Sequence, residues 1–509
     1  MMAETSNKIV GLERLAELVA EAKAKGEVVG HCHGSFDLVH PGHIKHFQAA
    51  RRVCDLLVVT VTADRHFNKG PGRPYFPEQI RLDSLAALQT IDNVALNEWP
   101  TAVETIALVK PDLYIKGSDY AKPDDDPTGK IVDEVEAVER EGGRLHITHE
   151  ITFSSTDLLN RNFNVIGAPA RDYIQDLKSR WDVQDVLQRL KDLKGLKVLV
   201  IGDAILDEYT YTKGLGKASK SPIINSRFLS TEVYAGGALA IGNHIAGFTD
   251  DVRMVTVAGD DGNFARVAPV MDENIVLRLV ERPNTPTTTK QRFIERFGST
   301  KMFELSYMDD SPLDTATEDE VLSTLDEDMR WADLVLAADF GHGLFTERVI
   351  SKVREGADFL AVNAQTNSAN IGFNLIDRWN GADYISIDEN EMRLVARDQH
   401  SPIDGMLDDI AEQFGFSRFN LTRGVDGATY RVSGEGTWAV PVFSDVVVDS
   451  VGAGDAVLSV TSMLACKGVE SELLPFIGNS VGALAVQILG NKEPVRPLAL
   501  FKFITGLMT

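Results

Sequence analysis

Two stretches of the chain combine residue types and spacings that suit phosphate chemistry. The first is HGSFDLVHPGH, residues 33–43. His40 and His43 are separated by Pro41 and Gly42, and Pro41 suits the first turn of a helix. A helix N-terminus offers backbone N–H groups and a partial positive charge, a natural seat for phosphate. Imidazoles placed there can donate hydrogen bonds to a polyphosphate and stabilise the charge that builds on it during transfer. Gly42 has no Cβ to block the approach. The second stretch is DSVGAGD, residues 449–455. Gly452, Ala453 and Gly454 open a long apolar helical run, where their N–H groups would form an anion hole for a transferring phosphoryl group. Asp455 falls in the first turn and can accept a proton from an attacking hydroxyl. An acidic residue there also serves simply to compensate the helix dipole.

The histidines admit another chemistry. His31, His33, His40, His43 and His46 are five of the 11 in the chain, with Cys32 among them. A zinc site could use such groups. Neither a paired cysteine nor an HExxH run accompanies them, so zinc is the weaker reading, and His31 and His46 are expected to be structural.

The elements that must position these residues alternate. Leu12, Leu15, Leu18, Val19 and Ala22 recur at helical spacing, which predicts a helix over 10–25 ended by Gly26. Residues 28–37 read as a buried strand running into a Gly-containing turn, a helix over 41–53 follows, and 56–64 is a second apolar strand. Helices near 77–90, 101–109 and 129–141 then alternate with strands at 94–97, 113–117 and 144–148. This order implies a parallel sheet with helices on both faces. Residues 157–195 are charged and helical, and read as a solvated connection between domains. KVLVIGDAILD, residues 197–207, restarts the pattern, and a strand, a Gly-rich turn and a long helix are predicted around 446–465.

Composition sets outer bounds. The 509 residues suit two large α/β domains. Lys and Arg number 51 against 75 Asp and Glu, a formal net charge of −24. That argues against nucleic acid and anionic membrane surfaces as partners. Three cysteines without a CxxC pair suit a reduced, cytoplasmic protein. The first residues interleave charges with apolar residues, unlike a secretory signal. No apolar run approaches the ~20 residues of a membrane span.

GSFDLVHPGH, with Gly34, Phe36, Asp37 and Gly42 beside the two histidines, resembles the HxGH signature of a nucleotidyltransferase superfamily. That superfamily includes glycerol-phosphate cytidylyltransferases and heptose-1-phosphate adenylyltransferases, and the resemblance covers residues 27–162. Lys69 in FNKG and Arg81 in PEQIRLDSLAAL fall where the family carries basic groups. KGSDY at 116–120, with Lys116, Gly117 and Asp119, is similar to the heptose-type enzymes. SSTDLLN at 154–160, with Ser154, Ser155 and Thr156, resembles the late helix start used on nucleotide phosphates; Asp157 stands where some relatives have Arg. The resemblance implies in-line attack of a sugar phosphate on the α-phosphorus of a nucleoside triphosphate. His40, His43, Lys69, Arg81 and Mg²⁺ would neutralise charge.

The region 195–505 resembles the ribokinase-like sugar kinases, in which the Asp of GAGD is the catalytic base. GDAILDEYTY at 202–211 is similar to the opening of heptose-7-phosphate kinases and implies a sugar side at Asp203 and Asp207. AGGALAIGN, with Gly236 and Gly237, and TTTKQRF, with Lys290 and Arg292, resemble further sugar-side motifs. TRGVDG, with Thr422, Gly424 and Gly427, is similar to a turn at the ATP. SIDENE places Asp388 and Glu391 at an indirect Mg²⁺ site. Ala240, His342, Asn363-Ala364 and Asp388 depart from the kinase pattern. Residues 208–232 and 287–308 are the candidate strands of a small β lid, which is also the candidate homodimer contact.

The resemblance therefore implies an α/β protein of two domains: a Rossmann-like transferase at 1–163 and a ribokinase-like kinase with its lid at 196–509, joined by a helical linker at 164–195. Bacterial bifunctional heptose enzymes join the same modules in the opposite order. The implied chemistry is phosphorylation of a sugar phosphate and its conversion to an NDP-sugar with pyrophosphate release, for lipopolysaccharide, capsule or another glycan. ATP, with CTP as the other nucleotidyl donor, and Mg²⁺ are the implied cofactors. Two further readings stay open. One is a cytidylyltransferase for a polyol or other sugar phosphate, and the other a transferase regulated by a non-catalytic kinase-like sensor.

Overall fold

The computed structural model describes residues 8–66, 74–117, 130–148, 167–296, 300–444 and 447–508. The chain divides into two compact units, Met1–Leu187 with Phe501–Thr509, and Gln188–Leu500. The division falls inside a helix of the expected connecting segment.

In the first unit, α1 (Leu12–Ala24) buries Leu12, Leu15, Val19 and Ala22, the predicted apolar stripe. Then follow β1 (Val29–Gly34), α2 (Pro41–Arg51), β2 (Leu56–Thr62), α3 (Glu78–Ala86), β3 (Asn93–Asn97), α4 (Val103–Val109), β4 (Leu113–Gly117), α5 (Lys130–Arg140) and β5 (Arg144–Thr148). The strands form a parallel sheet of order β3-β2-β1-β4-β5. Apolar β-branched runs such as LLVVTVT in β2 are buried almost throughout, as a sheet covered on both faces requires. Strand order reverses between β1 and β4, the crevice where open α/β sheets take ligands. The C-terminal end of β1 feeds the loop to α2 there.

Two helices follow, α6 (Ala168–Arg180) and α7 (Val183–Lys191). They differ from the expected solvated connection, because Ile174, Leu177, Val186, Leu187 and Leu190 are buried. Each helix presents an apolar stripe beneath its charges.

The second unit is organised by β6 (Val198–Lys217), a strand of 20 residues. Its first part pairs in parallel with β8 (Val252–Gly259) and β12 (Leu334–Asp339). Its second part pairs with β7 (Ile224–Gly237) and β10 (Thr289–Glu295), and β10 pairs with β11 (Thr300–Tyr307). One strand thus runs from the core sheet into the predicted lid. The core sheet extends through β9 (Ile275–Arg282) on one side, and through β13 (Leu360–Ala364), β14 (Tyr384–Asp388), β15 (Arg418–Thr422), β16 (Ala428–Val432) and β17 (Gly436–Val440) on the other. Among its helices are α8 (Ala238–Ala246), α9 (Thr315–Trp331), α10 (Glu347–Gly356), α11 (Glu389–Ala396), α12 (Ile403–Phe414), α13 (Ala453–Cys466) and α14 (Leu473–Ala485); α15 (Pro497–Met508) begins in this unit and continues into residues of the first. Leu199, Ile201, Val335, Val362, Ile385 and Phe419 belong to one core cluster on this sheet. The strand expected before the Gly-rich turn is not formed at 447–449. Val447 and Val448 are exposed there, and the Val448 and Asp449 amides bond the Val486 carbonyl at a helix end.

Candidate active sites

In the first unit the chain leaves β1 and turns at Phe36, whose φ is +45°. His40 then caps α2: its Nδ1 accepts the Gly42 N–H at 3.1 Å, and Pro41 takes the first helical position. The His40 and His43 rings stack with centroids 3.9 Å apart, and Phe36 packs edge-on against His43 at 5.2 Å. Burial lowers the His40 pKa and favours its neutral form. Two imidazoles are thereby fixed at one helix N-terminus, suited to donating hydrogen bonds to phosphate. Gly34 lies beneath the Phe36 ring, where a Cβ would sit 3.0 Å from it.

Three residues expected at the nucleotide also hold the fold of this site together. The Arg81 side chain has no exposed surface. Its nitrogens donate to the carbonyls of Phe76 (3.0 Å), Ser35 (2.6 Å) and Thr62 (2.9 Å) and pair with Asp64 at 2.6 Å. It therefore clamps the loop ends after β1 and β2. Lys116 forms a buried ion pair with Glu134 at 2.9 Å, and Glu134 also accepts the Tyr114 hydroxyl at 2.9 Å. Asp37 is buried and accepts the Phe76 N–H at 3.0 Å, so it too braces the loop. Gly117 ends β4, and a Cβ there would meet open space. Lys69, Asp119, Ser154, Ser155 and Thr156 lie outside the described residues. His31 and His46 play the structural roles expected of them, bonding Thr60 (2.7 Å) and Thr148 (2.8 Å).

In the second unit, Gly452 is the N-cap of α13 with φ +80°, and a Cβ there would lie 1.9 Å from the Asn491 Oδ1. Conformation and space both demand glycine. Ala453, Gly454 and Asp455 follow as the first helical turn. Asp455 is buried, and burial, with the nearby Asp207 charge, pushes its pKa up to about 7, while Lys290 acts in the opposite sense. A carboxyl poised near neutrality suits a general base.

Asp207 is also buried, at the start of the lid half of β6. It pairs with Arg292 at 2.5 Å and accepts the Asn491 side-chain N–H at 3.2 Å. Gly236 lets its carboxylate close in, since a Cβ there would lie 2.7 Å from Oδ2. Gly237 caps α8 with φ +55°, and Ala240 is buried inside that helix. Asp203 sits deeper, with its pKa raised by burial. It accepts the His342 amide at 3.4 Å, while the His342 ring bonds Asp310 at 2.7 Å. Asp339, buried beside Asp203, has its pKa pushed up to about 6, chiefly by burial. At the other end, Thr422 closes β15, and Gly424 (φ +54°) and Gly427 (φ +87°) shape the next turn.

A cavity of about 420 Å³ brings together Lys290, Glu304 and Ser306 of the lid strands with Thr366, Asp388 and Glu391 of the core. Asp388 and Glu391 form a capping box. The Glu391 oxygens accept the amides of Asp388 (2.9 Å) and Thr366 (2.9 Å), and Asp388 Oδ1 accepts the Glu391 amide at 2.8 Å. Burial first, then the Asp388 charge, pushes the Glu391 pKa up to about 8. No cluster of three or more metal-ligating side chains occurs among the described residues. The donor set fits a hydrated Mg²⁺ facing the exposed Asp388, since Mg²⁺ keeps several waters and needs only one or two carboxylates.

Sequence reasoning missed Glu134, Lys301 and Asn491. Only their contacts with residues far along the chain reveal them. Asp449 stood in the quoted motif, but nothing in the motif names its partners. No helix among the described residues is long and apolar enough to cross a membrane.

Comparison with known proteins follows the same division. A cytidylyltransferase-like profile matches residues 31–161, and the pfkB family carbohydrate kinase profile matches residues 196–497. The bifunctional protein HldE of Trichlorobacter lovleyi is 39% identical over 155 residues, 30% of each chain. The protein of that name from Pelobacter propionicus is 38% identical over 156 residues, again 30% of each. The matched segment thus spans about 30% of the length of these curated relatives. Among solved structures, a phosphofructokinase-2 mutant from Escherichia coli superimposes with a TM-score of 0.51 at 14% identity, covering 62% of this chain and 100% of that one. The potassium complex of phosphofructokinase-2 gives 0.50 at 15%, covering 61% and 99%. Identities this low speak for the fold alone. The chain belongs to the pfkB family of carbohydrate kinases and carries a cytidylyltransferase-like domain ahead of the kinase region.

Proposed function

We propose that the chain is a bifunctional enzyme that phosphorylates a sugar phosphate and converts a sugar 1-phosphate to an NDP-sugar for glycan synthesis. The observation that carries this reading is the pairing of two helix N-termini, each with the group its reaction lacks. One has the stacked imidazoles of His40 and His43, and the other the buried carboxyl of Asp455 behind Gly452–Gly454.

In the kinase step the sugar hydroxyl oxygen attacks the γ-phosphorus of ATP. Its proton passes to the Asp455 carboxylate, the bond from the γ-phosphorus to the bridging oxygen breaks, and ADP leaves. The anion hole stabilises the charge on the transferring group. Asp207, Arg292 and Lys290 hold the sugar side, with Gly236 and Gly237 beneath it. Thr422, Gly424 and Gly427 lie at the nucleotide side. Mg²⁺, facing Asp388, would supply charge neutralisation on the polyphosphate. In the transferase step a phosphate oxygen of the sugar 1-phosphate attacks the α-phosphorus of a nucleoside triphosphate, and pyrophosphate departs. His40 and His43 stabilise its charge, and Lys69 is proposed to join them.

Heptose is the proposed sugar class, supported by KGSDY and by similarity to the HldE proteins. The lid exposes Ile224, Phe228 and Phe303, which supports a second copy of the chain as the partner of that face.

The test is a phosphorus NMR time course with Mg²⁺, D-glycero-D-manno-heptose 7-phosphate and ATP, with and without CTP. An anomeric phosphate signal, then a diphosphate ester and pyrophosphate, is the expected result. A requirement for CTP would make the donor cytidylate. No change with heptose, in protein shown to be folded, removes heptose from the proposal.

A further inference from the structure

Asp449 lies three residues before Gly452, and its side chain is only 3% exposed. Four donors converge on it. Oδ1 accepts the Lys301 ammonium at 2.6 Å and the Val451 amide at 3.0 Å. Oδ2 accepts the Tyr209 hydroxyl at 3.2 Å and the Gly490 amide at 3.0 Å. Two of these donors come from the lid: Lys301 is on β11, its outer strand, and Tyr209 is on the lid half of β6. The other two belong to the backbone around the anion hole. Val451 directly precedes Gly452. Gly490 precedes Asn491, which packs against Gly452 and donates to Asp207. Gly490 must be small, since a Cβ there would lie 2.5 Å from the Tyr209 hydroxyl oxygen.

A buried carboxylate with four donors is a rigid node, and its charge is matched by one cation, the Lys301 ammonium. Burial alone would raise the Asp449 pKa, yet Lys301 and the two amides hold it below the usual carboxylate range. Tyr209 and the amides are neutral, so Lys301 is the part of the node whose loss leaves a buried charge uncompensated.

We infer that Lys301 is a positioning residue: through Asp449 the lid sets the geometry of the Gly452–Gly454 anion hole, so phosphoryl transfer reaches full rate only with β11 docked. This rests on the proposed role of that turn in the kinase step.

Hydrogen exchange by mass spectrometry on the full chain tests the tether without any substrate. In Lys301→Met, peptides covering 447–455 should exchange about tenfold faster, with β12 and β13 unchanged. Lys301→Arg should restore the slow rate. Unchanged exchange at 447–455 in Lys301→Met would overturn the inference. So would a uniform rise that includes β12 and β13, which marks general loss of stability. The kinetic arm uses ATP and heptose 7-phosphate: kcat should fall about tenfold while KM for ATP holds. A KM change alone also counts against the inference. Absence of sugar-dependent ATP consumption by the wild type would instead refute the kinase reading, and the exchange result would stand apart from it.

Discussion

The HxGH loop and the GAGD turn use one physical device with opposite contents. Both place backbone N–H groups at a helix start, at α2 and at α13. The first surrounds that start with hydrogen-bond donors, the two imidazoles. The second puts an acceptor there, the carboxyl of Asp455. Burial pushes both toward neutrality, lowering the His40 pKa and raising that of Asp455 to about 7. For a donor imidazole that shift costs nothing in function, because the neutral ring still donates. For a base it places the titration in the working range. The supports differ as well. Arg81 braces the first loop from within, whereas the second is held by Asp449, Asn491 and the lid.

The sharpest way to break this comparison is Asp455→Asn. Removing the proton acceptor should lower ATP-dependent sugar phosphorylation by about a thousandfold, read by ADP release, with pyrophosphate release from supplied sugar 1-phosphate unchanged. Phosphorylation at the wild-type rate would end the base assignment. His43→Ala is the mirror image. It should cost about a hundredfold in pyrophosphate release and leave ADP release alone, and equal loss of both would mean the two sites are not separate.

A pH profile sharpens the contrast. As the proposed base, Asp455 acts in its carboxylate form, so kinase kcat/KM should fall about tenfold per unit below pH 7 and level off above it. The transferase should show no matching limb at pH 7, because the lowered His40 pKa leaves its ring neutral there. A shared limb would tie both rates to one group. Arg81→Met should destabilise the first unit by about 3 kcal/mol, since it strands three carbonyls and the Asp64 carboxylate. Thermal melts would show the first unit unfolding earlier. An unaltered melt with lost transferase activity would return Arg81 to the nucleotide. The smallest effect is expected for Phe228→Asp on the exposed lid face. Light scattering should show a shift to half the mass with little change in rate, and an unchanged mass would remove the lid face as a contact.

What the sequence made legible follows from how local each feature is. His40, Pro41 and His43 lie within one helical turn, and Gly452 to Asp455 are consecutive, so type and spacing suffice. The strands of the first unit are apolar runs between helices, and they lie within a few residues of the expected bounds. The bracing contacts of Arg81 were not legible, because composition gives its charge but not its partners, which arrive from residues 35, 62, 64 and 76. The ion pair of Lys116 was hidden for the same reason, its partner Glu134 lying on another element. The valines before the GAGD turn have strong β propensity, yet the Val448 and Asp449 amides bond the Val486 carbonyl at a helix end instead of a strand.

The continuity of β6 has a mechanical consequence. A lid hung on a flexible connector could swing freely and could be trimmed or exchanged as a unit. Here the lid grows out of the same strand that pairs with β8 and β12 inside the core sheet, with Asp203 on the anchored part and Asp207 on the projecting part. Any opening has to bend or twist that strand, so the lid behaves as a leaf spring clamped in the core, and excising it would cut away the strand at its root.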